Sequence, residues 1–212
     1  MLGTNSKKDW AGRFFCLKYA DRYKFVKKSI LEFWHQKLSE SAKLKPSLKF
    51  LKTDFLPLGS SPHPLWLSCQ NSPSATEAAT LQAQILCGRY RDDLLCSKWN
   101  GSSGECSLCS HFPGDCIHYL SGGCPPLRQP LAVTLSHSLS RLSSTSFLIP
   151  PVLSALRSSP SAWCGFLADP SVNENVIKIR QELGHKSIWP LFNFSRALIL
   201  TMHRTRMKLM ET

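Results

Sequence analysis

The amino-acid sequence predicts a mainly α fold, with several short helices, long irregular linkers and one small cysteine-rich insert. Two observations support this fold class. Apolar residues recur every three or four positions in several stretches, which is the period of one helical face. In addition, no run of residues alternates apolar and polar side chains for long enough to predict a sheet.

The longest predicted helix spans residues 21–45. Its apolar side chains lie on one face, its lysines lie mostly off that face, and Pro46 ends it. The segment after Pro46 is rich in proline and glycine and predicts an extended linker. The apolar face consists of Tyr23, Val26, Ile30, Phe33, Trp34 and Leu38.

A second helix is predicted after this linker. Ser74 offers an N-cap with Glu77 three residues later, and Gly88 is a natural stop. Further helical patterns occupy the C-terminal part of the chain, at 131–142, 151–157, 161–168, 172–183 and about 191–210.

These patterns divide the chain into three regions. Residues 1–73 form a basic helical arm and linker, residues 74–130 a helix plus the cysteine-rich insert, and residues 131–212 a C-terminal helical region.

The formal net charge of +12 is concentrated at the two ends of the chain. Residues 1–53 carry 13 Lys/Arg against 4 Asp/Glu, and residues 171–212 carry 7 against 3, whereas the middle is nearly neutral. Basic ends of this kind usually meet polyanions, most often nucleic acid. We therefore expect RNA or DNA as the partner.

The sequence contains no recognisable targeting or membrane segment. MLGTNSKKDWAGRFF lacks the continuous apolar core and the cleavage site of a signal peptide. SIWPLFNFSRALILTM is interrupted by polar residues and is shorter than the roughly 20 residues of a membrane span. We expect a nuclear or cytoplasmic protein that is not secreted and has no membrane partner. In such a reducing compartment, nine cysteines favour metal binding or free thiols over disulfides.

The most specific chemical feature is the segment CSLCSHFPGDCIHYLSGGC. It places Cys106, Cys109, His118 and Cys124 in a C-x2-C-x8-H-x5-C spacing. A C-x2-C pair puts two sulfurs on one tight turn, each about 2.3 Å from a common Zn²⁺, and a returning histidine and cysteine complete the tetrahedron. Four protein ligands leave no open position, so the sequence predicts a structural Zn²⁺ in a small zinc-knuckle insert.

The residues around this cluster affect how the ligands are assigned. Gly122-Gly123 allows the chain to bring Cys124 back, and Pro125-Pro126 is expected to stop it there. Two neighbouring side chains, Cys116 and His111, remain alternatives to His118 as the fourth ligand.

The order of these features resembles the C-terminal tail of non-LTR (LINE-type) retrotransposon polyproteins, which are endonuclease–reverse transcriptases. Such polyproteins commonly end in a Cys-Cys-His-Cys zinc knuckle, whose ligands match the four residues above by position. The resemblance implies that the knuckle binds the element's RNA or its target DNA, and that other retroelement proteins are further partners. The extra Cys116 and the two adjacent glycines depart from the family's pattern. The stretches that carry the resemblance lie within roughly residues 20–130 and are SLKFL, HPLWLS, ATEAATLQAQILCGRY and CSLC…DCIHYLSGGCPPL.

Polymerase chemistry is not expected, although Tyr90-Arg91-Asp92-Asp93 is similar to the metal-binding hairpin of a reverse transcriptase. A polymerase palm needs another aspartate on a separate strand to hold two metals about 3.5–4 Å apart, and the upstream aspartates have no strand-like neighbours. Gly88 also closes a helix where the catalytic hairpin would need a strand. We therefore predict that the protein is not an enzyme and that Asp92 and Asp93 form a surface turn.

The cysteine spacing and the basic ends predict a non-catalytic, nucleic-acid-binding chain with a structural zinc knuckle and basic arms, and the resemblance implies that it is a fragment of a retrotransposon reverse transcriptase. Two other interpretations stay open: a helical protein-interaction or adaptor module, and a nonfunctional retroelement remnant. The side chains expected to contact nucleic acid are Lys24, Lys27, Lys28, Arg89, Lys98, Trp99, Arg204 and Lys208.

Overall fold

A computed structural model of the chain describes residues 19–45, 48–52, 63–69 and 72–211. These residues are mainly helical and contain no β-strand, which confirms the predicted fold class. Residues 1–18 of the predicted basic arm and most of the predicted linker after Pro46 lie outside the described residues. The α-helices are α1 (Tyr19–Leu44), α2 (Pro64–Leu67), α3 (Pro73–Leu86), α4 (Asp93–Asn100), α5 (Cys116–Leu120), α6 (Pro125–Leu142), α7 (Ile149–Ser158), α8 (Pro160–Ala168), α9 (Glu174–Leu183) and α10 (Trp189–Met210). Short 3-10 segments at Ser143–Leu148, Pro170–Val172 and His185–Ile188 join the later helices.

The start of α3 differs from the sequence prediction. Ser72, not Ser74, is the N-cap, and its hydroxyl accepts a hydrogen bond from the amide of Ala75 at 3.4 Å. Pro73 explains the shift, because proline is favoured at the first helical position, where its missing N–H leaves no bond unmade. The predicted stop is confirmed: Gly88 adopts a φ of 61°, a left-handed conformation that favours glycine.

The start of α6 also corrects an expectation. Pro125-Pro126 does not stop the chain after Cys124 but forms the first turn of α6. Proline fixes φ near its helical value, and the first-turn N–H groups have no partner within the helix. Cys124 therefore occupies the N-cap position of an 18-residue helix.

α10 is the central helix of the molecule. It packs against α6, α3 and α8, while α5 packs against α8 and α10. The buried core runs across the predicted boundary at residue 130, because residues on both sides of it belong to one hydrophobic cluster. Members of this core that are fully buried include Leu127, Leu167, Leu191, Phe192 and Ile199.

α1 confirms the predicted helix at residues 21–45, but the described part of the chain leaves much of its apolar face exposed. Tyr23 is 66% exposed and Trp34 is 65% exposed, and Ile30 and Phe33 are also exposed. Apolar periodicity predicted the helix, but it does not report whether a partner covers that face.

α1 and α10 are the longest helices in the described part of the chain. Neither they nor any other described helix is long and apolar enough to cross a membrane.

Candidate metal centre

The structure brings the four predicted ligand side chains together. The ligand atoms of Cys106, Cys109, His118 and Cys124 all lie within 4.8 Å of one another. The Sγ atoms of Cys106 and Cys124 are 3.8 Å apart, and Cys109 Sγ lies 3.3 Å from His118 Nε2. In a tetrahedral zinc site, bond lengths of about 2.3 Å to sulfur and 2.0–2.1 Å to nitrogen give edges of about 3.8 Å between sulfurs and about 3.5 Å between sulfur and nitrogen. This Cys3His cluster could therefore hold a metal ion.

A tight turn presents the first two sulfurs. The amide of Ser110 donates to the carbonyl of Cys106 at 2.7 Å, and the amide of Leu108 donates to Cys106 Sγ at 3.4 Å. Ser110 adopts a φ of 57°, the left-handed conformation that lets the chain reverse directly after Cys109. The C-x2-C spacing thus places Cys106 and Cys109 on one tight turn, as the sequence predicted.

A second segment crosses closely behind this turn. The amide of Gly114 donates to the carbonyl of Gly104 at 3.0 Å, which joins the two ends of the loop. A Cβ atom at Gly114 would lie 2.7 Å from the backbone nitrogen of Cys106. Only glycine permits this close approach of the two backbones.

Helix α5 supplies the histidine. Asp115 caps this helix, and its carboxylate accepts a hydrogen bond from the amide of His118 at 2.9 Å. The chain then returns through Gly122, which has a φ of 77°, and the amide of Cys124 donates to the carbonyl of His118 at 3.2 Å. A Cβ at Gly123 would lie 2.8 Å from His118 Nδ1, so this glycine leaves room for the imidazole. Gly122 therefore acts as the sequence predicted, whereas the space that Gly123 leaves for the imidazole was not predicted.

Neither alternative ligand belongs to this cluster. Cys116 Sγ lies 3.8 Å from Cys164 Sγ, and both side chains are buried where α5 meets α8. His111 is exposed and stacks on His118, with ring centroids 4.9 Å apart and planes inclined by 19°.

Burial and hydrogen bonding set the protonation of the cluster's side chains. Burial, and then the neighbouring His111, lower the pKa of His118, which favours the neutral imidazole that binds metals. Burial also raises the pKa of Cys124 to about 12. Burial of Cys106 acts in the same direction, but hydrogen bonds from the Leu108 amide and from Cys109 outweigh it, so the pKa of Cys106 is lowered. Metal binding must therefore displace protons from the cluster.

The predicted surface turn at Asp92-Asp93 is wrong. Asp92 is only 8% exposed, and its carboxylate accepts hydrogen bonds from the amides of Leu95 at 2.7 Å and Cys116 at 3.1 Å. Asp93 accepts a hydrogen bond from the amide of Ser107 at 2.6 Å. The two carboxylates thus face the cysteine-rich insert rather than solvent.

Asp93 also joins the insert to the C-terminal helix. Its carboxylate accepts hydrogen bonds from the Tyr119 hydroxyl at 2.6 Å and from the Arg206 guanidinium at 2.7 Å. Arg206 is 4% exposed and donates in addition to the carbonyl of Arg91 at 3.0 Å. Arg206 lies far from Asp93 along the chain, so no local pattern pointed to this pair.

The residues predicted to bind nucleic acid lie on several separate elements. Lys24, Lys27 and Lys28 are exposed on α1, where they line one shallow cavity of about 260 Å³. Of the remaining residues, Arg204 is engaged in an exposed ion pair with Glu77 at 2.6 Å, and Trp99 is 63% exposed at the end of α4. The others, Arg89, Lys98 and Lys208, are exposed as well.

Comparisons with known proteins give no further assignment. No family model, no curated protein and no solved structure matches this chain.

Proposed function

We propose that the chain is a non-catalytic nucleic-acid-binding module in which a structural zinc ion fixes a cysteine-rich insert on a helical scaffold. The observation that carries the proposal is the Cys3His cluster, whose four ligand atoms lie within 4.8 Å of one another. Two of its distances, 3.8 Å between Cys106 Sγ and Cys124 Sγ and 3.3 Å between Cys109 Sγ and His118 Nε2, are close to the edges of a zinc tetrahedron. The resemblance of residues 20–130 to the tail of LINE-type retrotransposon polyproteins supports the same function.

Zinc is the metal that best suits this donor set. Thiolate sulfur and imidazole nitrogen in a four-coordinate arrangement are typical of structural zinc sites, whereas magnesium and calcium require oxygen ligands. With four protein ligands there is no position left for a substrate or a reactive water. Residues Cys106, Cys109, His118 and Cys124 would hold the ion, and its role would be to stabilise the fold.

Contact with nucleic acid is assigned to the basic side chains rather than to the metal. A zinc ion with three thiolates carries a net charge of −1 and does not attract phosphate. Lys24, Lys27 and Lys28 form a cluster of exposed positive charge on one helix, and phosphate contacts of this kind dominate affinity. The exposed indole of Trp99 offers a stacking surface for an unpaired base, which contributes about 1–3 kcal/mol.

The proposal is tested by RNA binding to the full chain at several salt concentrations. Replacing Lys24, Lys27 and Lys28 together with glutamine should weaken binding and reduce its salt dependence, because fewer counterions are released. A matched control replaces three exposed basic residues of the later helices, Arg141, Arg157 and Lys178, by the same change. Equal losses in the two triple variants would assign binding to net charge alone. No salt-dependent binding by the parent protein would contradict the function.

A protein-interaction module is the second candidate. The observation in its favour is the apolar face of α1 that stays exposed in the described part of the chain, where Tyr23, Ile30, Phe33 and Trp34 are more than half exposed. Exposed apolar side chains grouped on one surface mark many protein contacts. If binding of a protein partner survives the lysine replacements but is lost in Trp34→Ala, this second function is favoured.

A further inference from the structure

The Asp92-Asp93 pair holds both halves of the cysteine-rich insert, although neither residue belongs to the ligand set. We propose that Asp93, assisted by Asp92, is the positioning residue of the metal centre. This assignment rests on the proposed zinc site. It adds that tight zinc binding also requires residues other than the four ligands.

Asp93 acts on the turn that carries the first two ligands. Its Oδ2 atom accepts the hydrogen bond of the Ser107 amide at 2.6 Å. This amide belongs to the peptide bond that follows Cys106, so the bond fixes the peptide plane next to a ligand. A carboxylate acceptor makes such a hydrogen bond short and strong.

Asp92 acts on the other half of the insert. Its Oδ2 atom accepts the hydrogen bond of the Cys116 amide at 3.1 Å, at the first residue of the helix that carries His118. The amide of Leu94 donates in turn to the carbonyl of Gly114 at 3.2 Å. The first turn of α4 therefore contacts the turn of Cys106 and Cys109 and also the helix of His118.

Asp93 is itself held in place by two side chains. The Tyr119 hydroxyl donates to Oδ2 at 2.6 Å, and the buried Arg206 guanidinium donates to Oδ1 at 2.7 Å. Burial raises the pKa of Asp93, but the hydrogen bonds from Tyr119 and Ser107 and the charge of Arg206 outweigh burial, so the pKa is lowered. Asp93 is therefore a carboxylate at neutral pH, and its two oxygens have fixed directions.

Partners of this kind outside the ligand shell control how well ligands are oriented for a metal. Removing them typically weakens metal affinity 10–100-fold. Because Asp93 fixes the Ser107 amide, and with it the peptide plane next to Cys106, we expect Asp93→Asn to lose affinity in this range. Asparagine keeps the size of the side chain but has only one acceptor oxygen where three donors converge.

The experiment measures the zinc affinity of the 212-residue chain by competition with a chelator, together with the visible absorption spectrum of the Co²⁺ form. Asp93→Asn should lower zinc affinity about 10–100-fold and change the Co²⁺ bands. Tyr119→Phe, which removes one donor to Asp93 and leaves the carboxylate, should cause a smaller loss. The matched control is Ile199→Val, which removes one methyl group at a fully buried position of α10. It should lower the melting temperature but leave the zinc affinity of the folded protein unchanged.

The possible results distinguish a failure of the role proposed for Asp93 from a failure of the proposed zinc site. Zinc affinity unchanged in both Asp93→Asn and Tyr119→Phe would overturn the role of Asp93 while leaving the zinc site intact. If Asp93→Asn does not fold, an unchanged affinity in Tyr119→Phe overturns the assignment by itself. A parent protein that takes up no zinc would overturn the proposed function and the assignment together.

Discussion

Ser110 is the residue at which the turn of Cys106 and Cys109 carries local strain. It is exposed and holds a φ of 57°, in the left-handed region that costs a residue with a Cβ about 1–2 kcal/mol. Its amide is needed, because it donates to the carbonyl of Cys106 at 2.7 Å and closes the turn. The cost at this residue is therefore tolerated because the turn places Cys106 and Cys109 together.

Replacing Ser110 with glycine should stabilise the folded protein. Glycine adopts the left-handed conformation freely and keeps the amide donor, but it loses more entropy on folding than serine. The net gain should be up to about 1 kcal/mol in the free energy of unfolding. Urea denaturation of the zinc-loaded protein measures the change. A Ser110→Ala variant keeps a Cβ and should show no gain, and equal stability in the alanine and glycine variants would contradict the account.

The cysteine-rich insert behaves as one element because its segments approach each other closely. Gly114 packs directly behind Cys106, and its carbonyl accepts the amide of Leu94. α5 begins two residues later and carries His118 towards Cys109. A change in the backbone at residue 114 would therefore displace a ligand and the start of α4 at the same time.

Gly114→Ala is expected to destabilise the insert and weaken zinc binding. Its Cβ would lie 2.7 Å and 2.8 Å from the Cys106 nitrogen and Cα, atoms of a backbone that cannot rotate away. Overpacking of this kind costs about 1–3 kcal/mol. Gly165→Ala in α8 is the matched control, because its Cβ would lie 3.4 Å from the Phe50 ring, an ordinary van der Waals distance. Thermal denaturation should show a lower melting temperature for Gly114→Ala only, and equal effects at the two glycines would argue against the close approach.

At the scale of the whole molecule, the insert is built into the helical core. Cys124 and Leu127 are buried together with residues of α8 and α10, and the Trp163 indole donates to the carbonyl of Leu120 at 3.1 Å. Arg196 forms another long-range link, since its buried guanidinium donates to the carbonyls of Leu65 and Ser68. Metal binding at the insert should therefore stabilise the surrounding helices as well.

Some of these features could be predicted from the sequence, and the physical reason why a feature could or could not be predicted differs from residue to residue. The helical period located α1 and α10 because each is long and amphipathic. The C-x2-C spacing identified Cys106 and Cys109 because two residues between cysteines produce one tight turn. It did not select between His118 and Cys116, since that choice depends on how α5 packs on α8 and turns Cys116 towards Cys164.

The hydrogen bonds of Asp93 could not be predicted from the sequence for a related reason. Its partners Ser107, Tyr119 and Arg206 are distant along the chain, and only tertiary packing brings them together. A local reading of two adjacent aspartates predicts an exposed turn, because carboxylates are seldom buried without partners. The Asp115 cap of α5, in contrast, carried a local signal, since an aspartate directly before a short helical stretch is a favoured N-cap.

The central claim, that Cys106, Cys109, His118 and Cys124 bind one zinc ion, is tested most directly by the metal content of the purified, reduced protein. Elemental analysis should find one zinc per chain in the parent protein, in Cys116→Ser and in Cys87→Ser, which changes an exposed cysteine outside the cluster. Cys109→Ser should retain none, because serine is a poor zinc ligand and three ligands remain. A parent protein without zinc, or a Cys109→Ser variant with the full amount, would contradict the account.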